Sequence, residues 1–323
     1  MTKFMTVLLS ATTLALFASP AMAADSPTLR IENFIGTLDL VNSTGSKISV
    51  QDADGASIDV HGDGVTIDDG VEIKNTHCKS SKSNIKIGMG SWKVLKRSGG
   101  YKDLNTYPKL KITAPENTHL IITNSVIFGD VENLGSAEIH IRSCGDLEIG
   151  DVAGEVGLYI SGSGDLDIGD TGPATIRISG SGDVEAGDFV SADIRVSGSG
   201  DLDAGDIAGF VRIASSGAGD IELEHLGNGL EYSGSGASDL RIKSVSGGDL
   251  IIHASGSGDV DIKKGSVDKL DIRASGASDV RYGGTSNSAE ARASGASDVY
   301  MHAPSGHLHT SDSGAGDVHV KGR

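Results

Sequence analysis

Large side chains are scarce in this sequence of 323 residues: aromatics make up 4%, with a single tryptophan. A broad globular core built on rings is therefore excluded, and any core has to be filled with small aliphatic residues. Proline occurs six times in all, which excludes both collagen and a Pro-rich disordered chain. Cations are in deficit, with 27 Lys and Arg against 44 Asp and Glu and a net charge of −17, so the chain is not a general nucleic-acid binder. No apolar run reaches the roughly 20 residues that span a bilayer. There is no nucleophile elbow, P-loop or zinc-hydrolase motif, since the short glycine matches follow from the repeat described below.

Export is written at the N-terminus. Lys3 precedes an apolar run from Val7 to Ala18, and Ala21-Met22-Ala23 supplies the small-x-small pattern of a signal peptidase site. Cleavage is expected after Ala23, making residues 1–23 a signal peptide. No cysteine adjoins the cleavage site, so a lipid anchor is not expected. The two cysteines, Cys78 and Cys144, are compatible with one disulfide in an oxidising compartment. A regular repeat running through both would set them several coils apart, whereas a bridge needs Cα atoms within about 7 Å. Such a bridge depends on a loop that returns Cys78 to Cys144.

What the chain has in abundance is glycine, 46 residues of it, and a repeat. From Cys144 onward one unit recurs: two apolar residues at alternate positions, a Ser-Gly-rich turn, an Asp, then two more alternating apolar residues. The marker residues are Asp146, Asp165, Asp183, Asp201, Asp220, Asp239, Asp259, Asp279, Asp298 and Asp317, spaced by 18 to 20 residues. That regularity is the signature of a solenoid. Alternation selects strand over helix, because a period of two places one set of side chains on one face. Pairs such as Leu166/Ile168 and Ile176/Ile178 are expected inward, and units beginning at Gly169-Asp170, Gly187-Asp188 or Gly205-Asp206 leave room for a third strand. The arithmetic is that of an all-β fold, a parallel β-helix with coils of about 19 residues stacked at about 4.8 Å. Gly162, Gly180, Gly198 and Gly256 are expected at corners, where either φ > 0 or backbone stacked on backbone admits only glycine.

Three segments precede or interrupt that pattern. Residues 24–75 read as irregular β coils, with Leu29/Ile31, Leu38/Leu40, Ile58/Val60 and Val65/Ile67 alternating. Residues 76–109 read as a basic, aromatic insertion or cap: Lys74 to Lys111 holds ten Lys or Arg and one acid, Asp103. The regular repeats occupy 110–323.

The run Leu110-Lys-Ile-Thr-Ala-Pro115, then Asn124-Ser-Val-Ile-Phe-Gly-Asp130, then tandem Ser-Gly-Ser-Gly-Asp-Leu/Val units resembles the head GIN domain family of autotransporter adhesins. The resemblance spans roughly residues 30–323. It implies a right-handed parallel β-solenoid on an exported bacterial protein, serving in adhesion or at the cell envelope, and it brings no established catalytic residues. No block of ten-residue amphipathic barrel strands follows the repeats, so self-secretion through a translocator is not expected.

Candidate sites are of four kinds. Trp92, Lys93, Lys96, Arg97 and Tyr101 have the composition of a binding surface for acidic sugars, lipid headgroups or a partner, or of a cap against the protein's own acids. Asp165, Asp183 and Asp201 would stack on adjacent coils, where they either bind Ca²⁺ or accept N–H bonds within their own turns. Two residues after each marker lie Glu148, Asp167, Glu185, Asp203 and Glu222, then Arg241, Asp261, Arg281, Tyr300 and His319. The first five form a row of like charge that calls for cations or for the nearby Arg177, Arg195 and Arg212, and it reads either as a flat recognition face or as a solvated face that discourages sheet-to-sheet aggregation. His302, His307, His309 and His319 cluster near the C-terminus; His307 and His309 would share a strand face suited to Zn²⁺ or Cu²⁺, although a surface strand explains them equally.

The expected function is an exported, non-catalytic β-solenoid acting as an adhesin or envelope-binding scaffold, with no required cofactor beyond the Ca²⁺ option. Its partner would be a surface glycan, a protein or an envelope component. A structural periplasmic protein is the alternative. A carbohydrate-active enzyme stands behind both, because acids recur with the repeat and no pair is singled out for glycoside cleavage.

Overall fold

The computed structural model describes residues 26–81, 84–98 and 100–322. The expected signal peptide, 1–23, lies outside the described residues, and Trp92 and Arg97 are described by their backbone alone.

Alternating apolar residues meet alternating apolar residues from the next coil. Leu147 pairs in register with Leu166, Leu166 with Val184, Val184 with Leu202, Leu202 with Ile221 and Ile221 with Leu240, always in parallel. A second wall stacks Ile139, Leu158, Ile176, Ile194, Ile213, Tyr232, Ile252 and Ile272 in the same way. A third, narrower wall is made by single bridges through Leu134, Val152, Thr171, Phe189, Ile207 and Leu226. All three walls point one set of side chains into a common core that runs from Leu29 to Met301. Each buried Leu or Ile contributes about 1.5–3 kcal/mol, so many thin aliphatic layers do what a few aromatic rings do elsewhere. The result is an all-β parallel solenoid with coils of about 19 residues, as the spacing requires.

At the Ser-Gly corner the coils approach backbone to backbone. A Cβ built on Gly162, Gly180, Gly198 or Gly256 would lie within 1.8 to 1.9 Å of a carbonyl oxygen of the preceding coil. None of the four has positive φ. Of the two reasons for glycine here, the structure uses close stacking, and the corners bond along the axis, with Ser199 N–H donating to the Gly180 carbonyl at 2.9 Å.

The first part of the chain does not stack in sequence order. Strands Thr28–Glu32 and Ile35–Asn42 form a coil that pairs in parallel with His119–Val131 on one side. On the other side it pairs in parallel with Gly64–Asp68 and Lys109–Ala114. Later residues thus cover the first coil. Beyond them, Ser57–His61 and Ser49–Asp52 add antiparallel strands that finish this end. Ile58 and Val60, which alternate like core residues, are 44% and 65% exposed on that terminal strand. The turn Gly62-Asp63 between Ser57–His61 and Gly64–Asp68 is a two-residue hairpin, with Gly62 at φ 61°, and a tight antiparallel return cannot continue a parallel coil.

Residues 76–103 form a separate small sheet, with Thr76–Ser81, Asn84–Met89 and Tyr101–Asp103 antiparallel and a short helix over Trp92–Ser98. It lies on the flank of the solenoid. Ile87 packs there with Ile73 against the outward faces of Ile35, Val126 and Phe128. The disulfide Cys78–Cys144, with Cα atoms 6.2 Å apart, fastens this sheet to the first regular corner. The Ser143 hydroxyl adds a bond to the Thr76 carbonyl at 3.0 Å.

Candidate functional site

The marker aspartates form a hydrogen-bonded ladder between coils. The N–H of Asp183 donates to Asp165 Oδ1 at 3.1 Å, that of Asp201 to Asp183 at 2.8 Å, and that of Asp220 to Asp201 at 2.7 Å. The same bond recurs through Asp239, Asp259, Asp279 and Asp298 to Asp317. The expected backbone role of these carboxylates takes a different form here: each accepts from the next coil. Asp165, Asp183 and Asp201 lie on successive coils, and one oxygen of each is taken by the ladder.

A second ladder lies at the next corner. Asp151 N–H donates to Asn133 Oδ1, Asp170 to Asp151, Asp188 to Asp170 and Asp206 to Asp188, at 2.8 to 3.0 Å. In the sequence these Gly-Asp pairs read as strand starts, and their own fixed spacing is the signal of the second ladder.

Outward from the first ladder, Glu148, Asp167, Glu185, Asp203 and Glu222 stand in strict parallel register, followed by Arg241, Asp261 and Arg281. The arginines expected to balance the acidic row do not do so. Arg177 pairs with Asp193 at 3.1 Å and Arg212 with Glu231 at 2.9 Å, both on the neighbouring wall. Asp146, the first marker and a neighbour of the acidic row, is not a rung, because Asp165 N–H bonds the Gly145 carbonyl instead. Partial burial, and then the charges of Asp165, Asp167 and Asp130, push its carboxyl above the usual carboxylate range.

Further along, cations are built into the wall. Arg241 reaches Asp220 at 3.0 Å, Glu222 at 3.5 Å and Asp239 at 2.5 Å, and the hydrogen bond to Asp220 with its neighbours' charge holds its guanidinium pKa above the ordinary value. Arg281 bonds Asp279 at 2.7 Å and approaches Asp259 at 3.7 Å. One face therefore changes along its length from a row of acids to alternating clamps.

On the flank sheet, Lys93 and Lys96 are exposed on the helix that begins at Trp92, and the side chains of Trp92 and Arg97 lie outside the described residues. Tyr101 is half-buried, with the Lys79 ammonium 4.0 Å from its ring centroid. Lys86 pairs with Asp103 at 3.5 Å.

The C-terminal histidines are dispersed. His302 Nδ1 meets the Gly284 carbonyl at 3.0 Å. His309 pairs in register with Glu290, while His307 precedes the strand Leu308–Gly314. His319 sits two residues beyond the last marker, stacked on Tyr300 with ring centroids 4.6 Å apart.

Among the described residues no helix is long and apolar enough to cross a membrane. No curated protein and no solved structure matches the chain. A family profile matches it twice, over residues 43–225 and 206–323. The overlap from 206 to 225 is about one coil, as expected where successive coils are interchangeable. The two matches take in the flank sheet, the disulfide and both aspartate ladders, and on them the chain belongs to the family described as "Putative auto-transporter adhesin, head GIN domain".

Proposed function

We propose that this chain is an exported, non-catalytic binding scaffold, adhesin-like in its work, that holds a surface glycan, a protein or another envelope component against a rigid wall. The observation that carries this reading is the in-register stacking of outward residues. Glu148, Asp167, Glu185, Asp203 and Glu222 repeat one chemistry at one spacing along a flat face, which suits an extended partner met at many points. The family description supports the same reading. The disulfide supports export, since such bridges persist in oxidising compartments.

The test is protease treatment of intact cells followed by detection of the mature chain. Digestion while a periplasmic control survives supports surface display and adhesion. Protection until the outer membrane is opened supports the structural periplasmic alternative. A glycan panel then separates scaffold from enzyme: retention without product release is expected, and release of cleaved sugar would overturn the non-catalytic reading.

A further inference from the structure

We propose that Asp298, Asp317 and His319 form a surface site for a divalent transition-metal ion, Zn²⁺ in the first instance. Among the described residues, these three are the one group of His, Cys, Asp or Glu whose ligand atoms all lie within 4.8 Å of one another. Along the rest of the aspartate ladder the described residues hold no such group, and the chemistry beside the marker differs there as well. Two residues after the marker, the earlier coils place an acid, as at Asp167 and Glu185, a cation, as at Arg241 and Arg281, or the phenol of Tyr300. An acid adds only a further hard oxygen and charge, and an arginine neutralises the carboxylates itself. At His319 the repeat places an imidazole there, and a mixed nitrogen and oxygen set favours zinc-class ions over Ca²⁺.

Two of the ligands are held by their surroundings. Asp298 Oδ1 accepts the Asp317 N–H at 3.0 Å and Oδ2 accepts the Tyr300 hydroxyl at 3.1 Å, so the carboxylate is oriented from both sides. The Tyr300 ring in turn stacks on His319 at an interplanar angle of 15° and fixes the imidazole plane. One residue thus orients two ligands, the outer-shell arrangement that metal sites use. Arg281 lies close by, with its guanidinium 5.1 Å from the Tyr300 ring centroid, and it is engaged by Asp279 and Asp259.

An independent feature points to the same place. A surface groove of about 520 Å³ is lined by Arg281, Tyr282, Tyr300, His302, His319 and Lys321, among others. His319 belongs both to the groove wall and to the ligand cluster. A metal held by three protein ligands keeps an open coordination position, and here that position would adjoin a cavity able to admit a donor atom from a bound molecule.

Isothermal titration of the purified mature chain with zinc chloride is the test. One equivalent should bind, and the melting temperature should rise with Zn²⁺ but not with Ca²⁺ at the same concentration. His319→Ala and Asp317→Asn should each weaken binding by roughly 100-fold and remove the Zn²⁺-dependent rise. Tyr300→Phe keeps the stacked ring and loses the bond to Asp298, and should weaken binding roughly tenfold. The double variant H307A/H309A should bind as the unaltered chain does, and the melting temperature without metal shows that each variant is folded. Absence of Zn²⁺ binding at millimolar concentration would overturn the proposal. So would binding that survives His319→Ala and disappears in H307A/H309A.

Discussion

The backbone N–H of Asp201 donates to Asp183 Oδ1 at 2.8 Å, one coil away, and the same bond links eight successive pairs from Asp165 to Asp317. An N–H at a strand start that would otherwise turn to solvent is satisfied by a charged acceptor, which also fixes coil spacing. Asp183→Asn keeps the acceptor oxygen and removes one of a column of like charges, so its melting temperature should match or exceed that of the parent. Asp183→Ala removes the acceptor, and a loss of about 1 kcal/mol is expected at this solvent-exposed site. Equal melting temperatures for the two variants would show that the ladder bond contributes nothing.

Gly198 offers a harsher test. Its added Cβ would stand 1.9 Å from the Gly180 carbonyl oxygen, which is itself bonded to Ser199 N–H. The overlap is with backbone on a strict axial repeat, so relief requires two coils to part. Gly198→Val should cost about 3 kcal/mol or more, read as a lower melting temperature. Gly55, with nothing within 4 Å of its added Cβ but a φ of 94°, serves as the contrast in which strain is local.

The regular coils were legible because two periods coincide. Alternation sets Leu166 and Ile168 inward, and the spacing of 18 to 20 residues puts Val184 and Ala186 directly beside them. The N-terminal order was not legible, because it depends on contacts distant in sequence. Nothing near Leu29 says that it will lie between Leu120 and Val65. Gly62-Asp63 did carry a hairpin signal, and its neighbours Ile58 and Val60 alternate so well that they pass for a buried strand. At the candidate site, the positions of Asp165, Asp183 and Asp201 were readable from the repeat. Their bonding partner was not, since an Asx-turn and an inter-coil bond make the same sequence demand. His319 was visible as one of four histidines, but its closeness to Asp298 follows from stacking, not from chain separation.

The Cys78–Cys144 bridge closes a span of 66 residues and ties the flank sheet to the solenoid beside the Ile87 and Phe128 cluster. Coils beyond Val156 share no residue with that cluster. Cys144→Ser, or reduction, should therefore loosen residues 76–103 while the regular coils keep their protection. Hydrogen exchange resolved along the chain checks this, and equal acceleration in strands such as Leu202–Ala204 and Leu240–Ser246 would mean that the bridge supports the whole rod.

The acidic row should respond to salt. The raised pKa of Asp146 means that its ionised form is less favourable in the folded chain, so its contribution is fully present below the unfolded value and is lost as pH rises through the folded one. At neutral pH, Asp146→Asn should raise the melting temperature, and since Asp146 accepts no ladder bond from Asp165, the change forfeits none. Sodium chloride should stabilise the parent more than the variant. Ca²⁺ at equal ionic strength should do no more than sodium chloride, because the ladder already occupies one oxygen of Asp165, Asp183 and Asp201. A distinct Ca²⁺ increment, lost in D183N, would favour metal on the ladder.

High pH acts on the core itself. Tyr232 and Tyr282 replace aliphatic residues in the inward columns, each only 2% exposed, and burial pushes both phenols up to about 12. The Tyr282 hydroxyl is also committed, donating to the Thr285 carbonyl at 2.9 Å. An unfolded tyrosine ionises near pH 10, so the stabilisation is complete below that value and is lost between about pH 10 and 12 as the unfolded chain releases protons that the folded chain retains. Melting temperatures from pH 8 to 12 should fall steeply above 10, and absorbance at about 295 nm should show two tyrosines ionising only as the coils open. Tyr282→Phe should lower stability at pH 8 by about 1 kcal/mol through the lost hydrogen bond, yet flatten the alkaline slope. A slope unchanged by that substitution would mean that Tyr282 titrates freely and that the coil around it admits water.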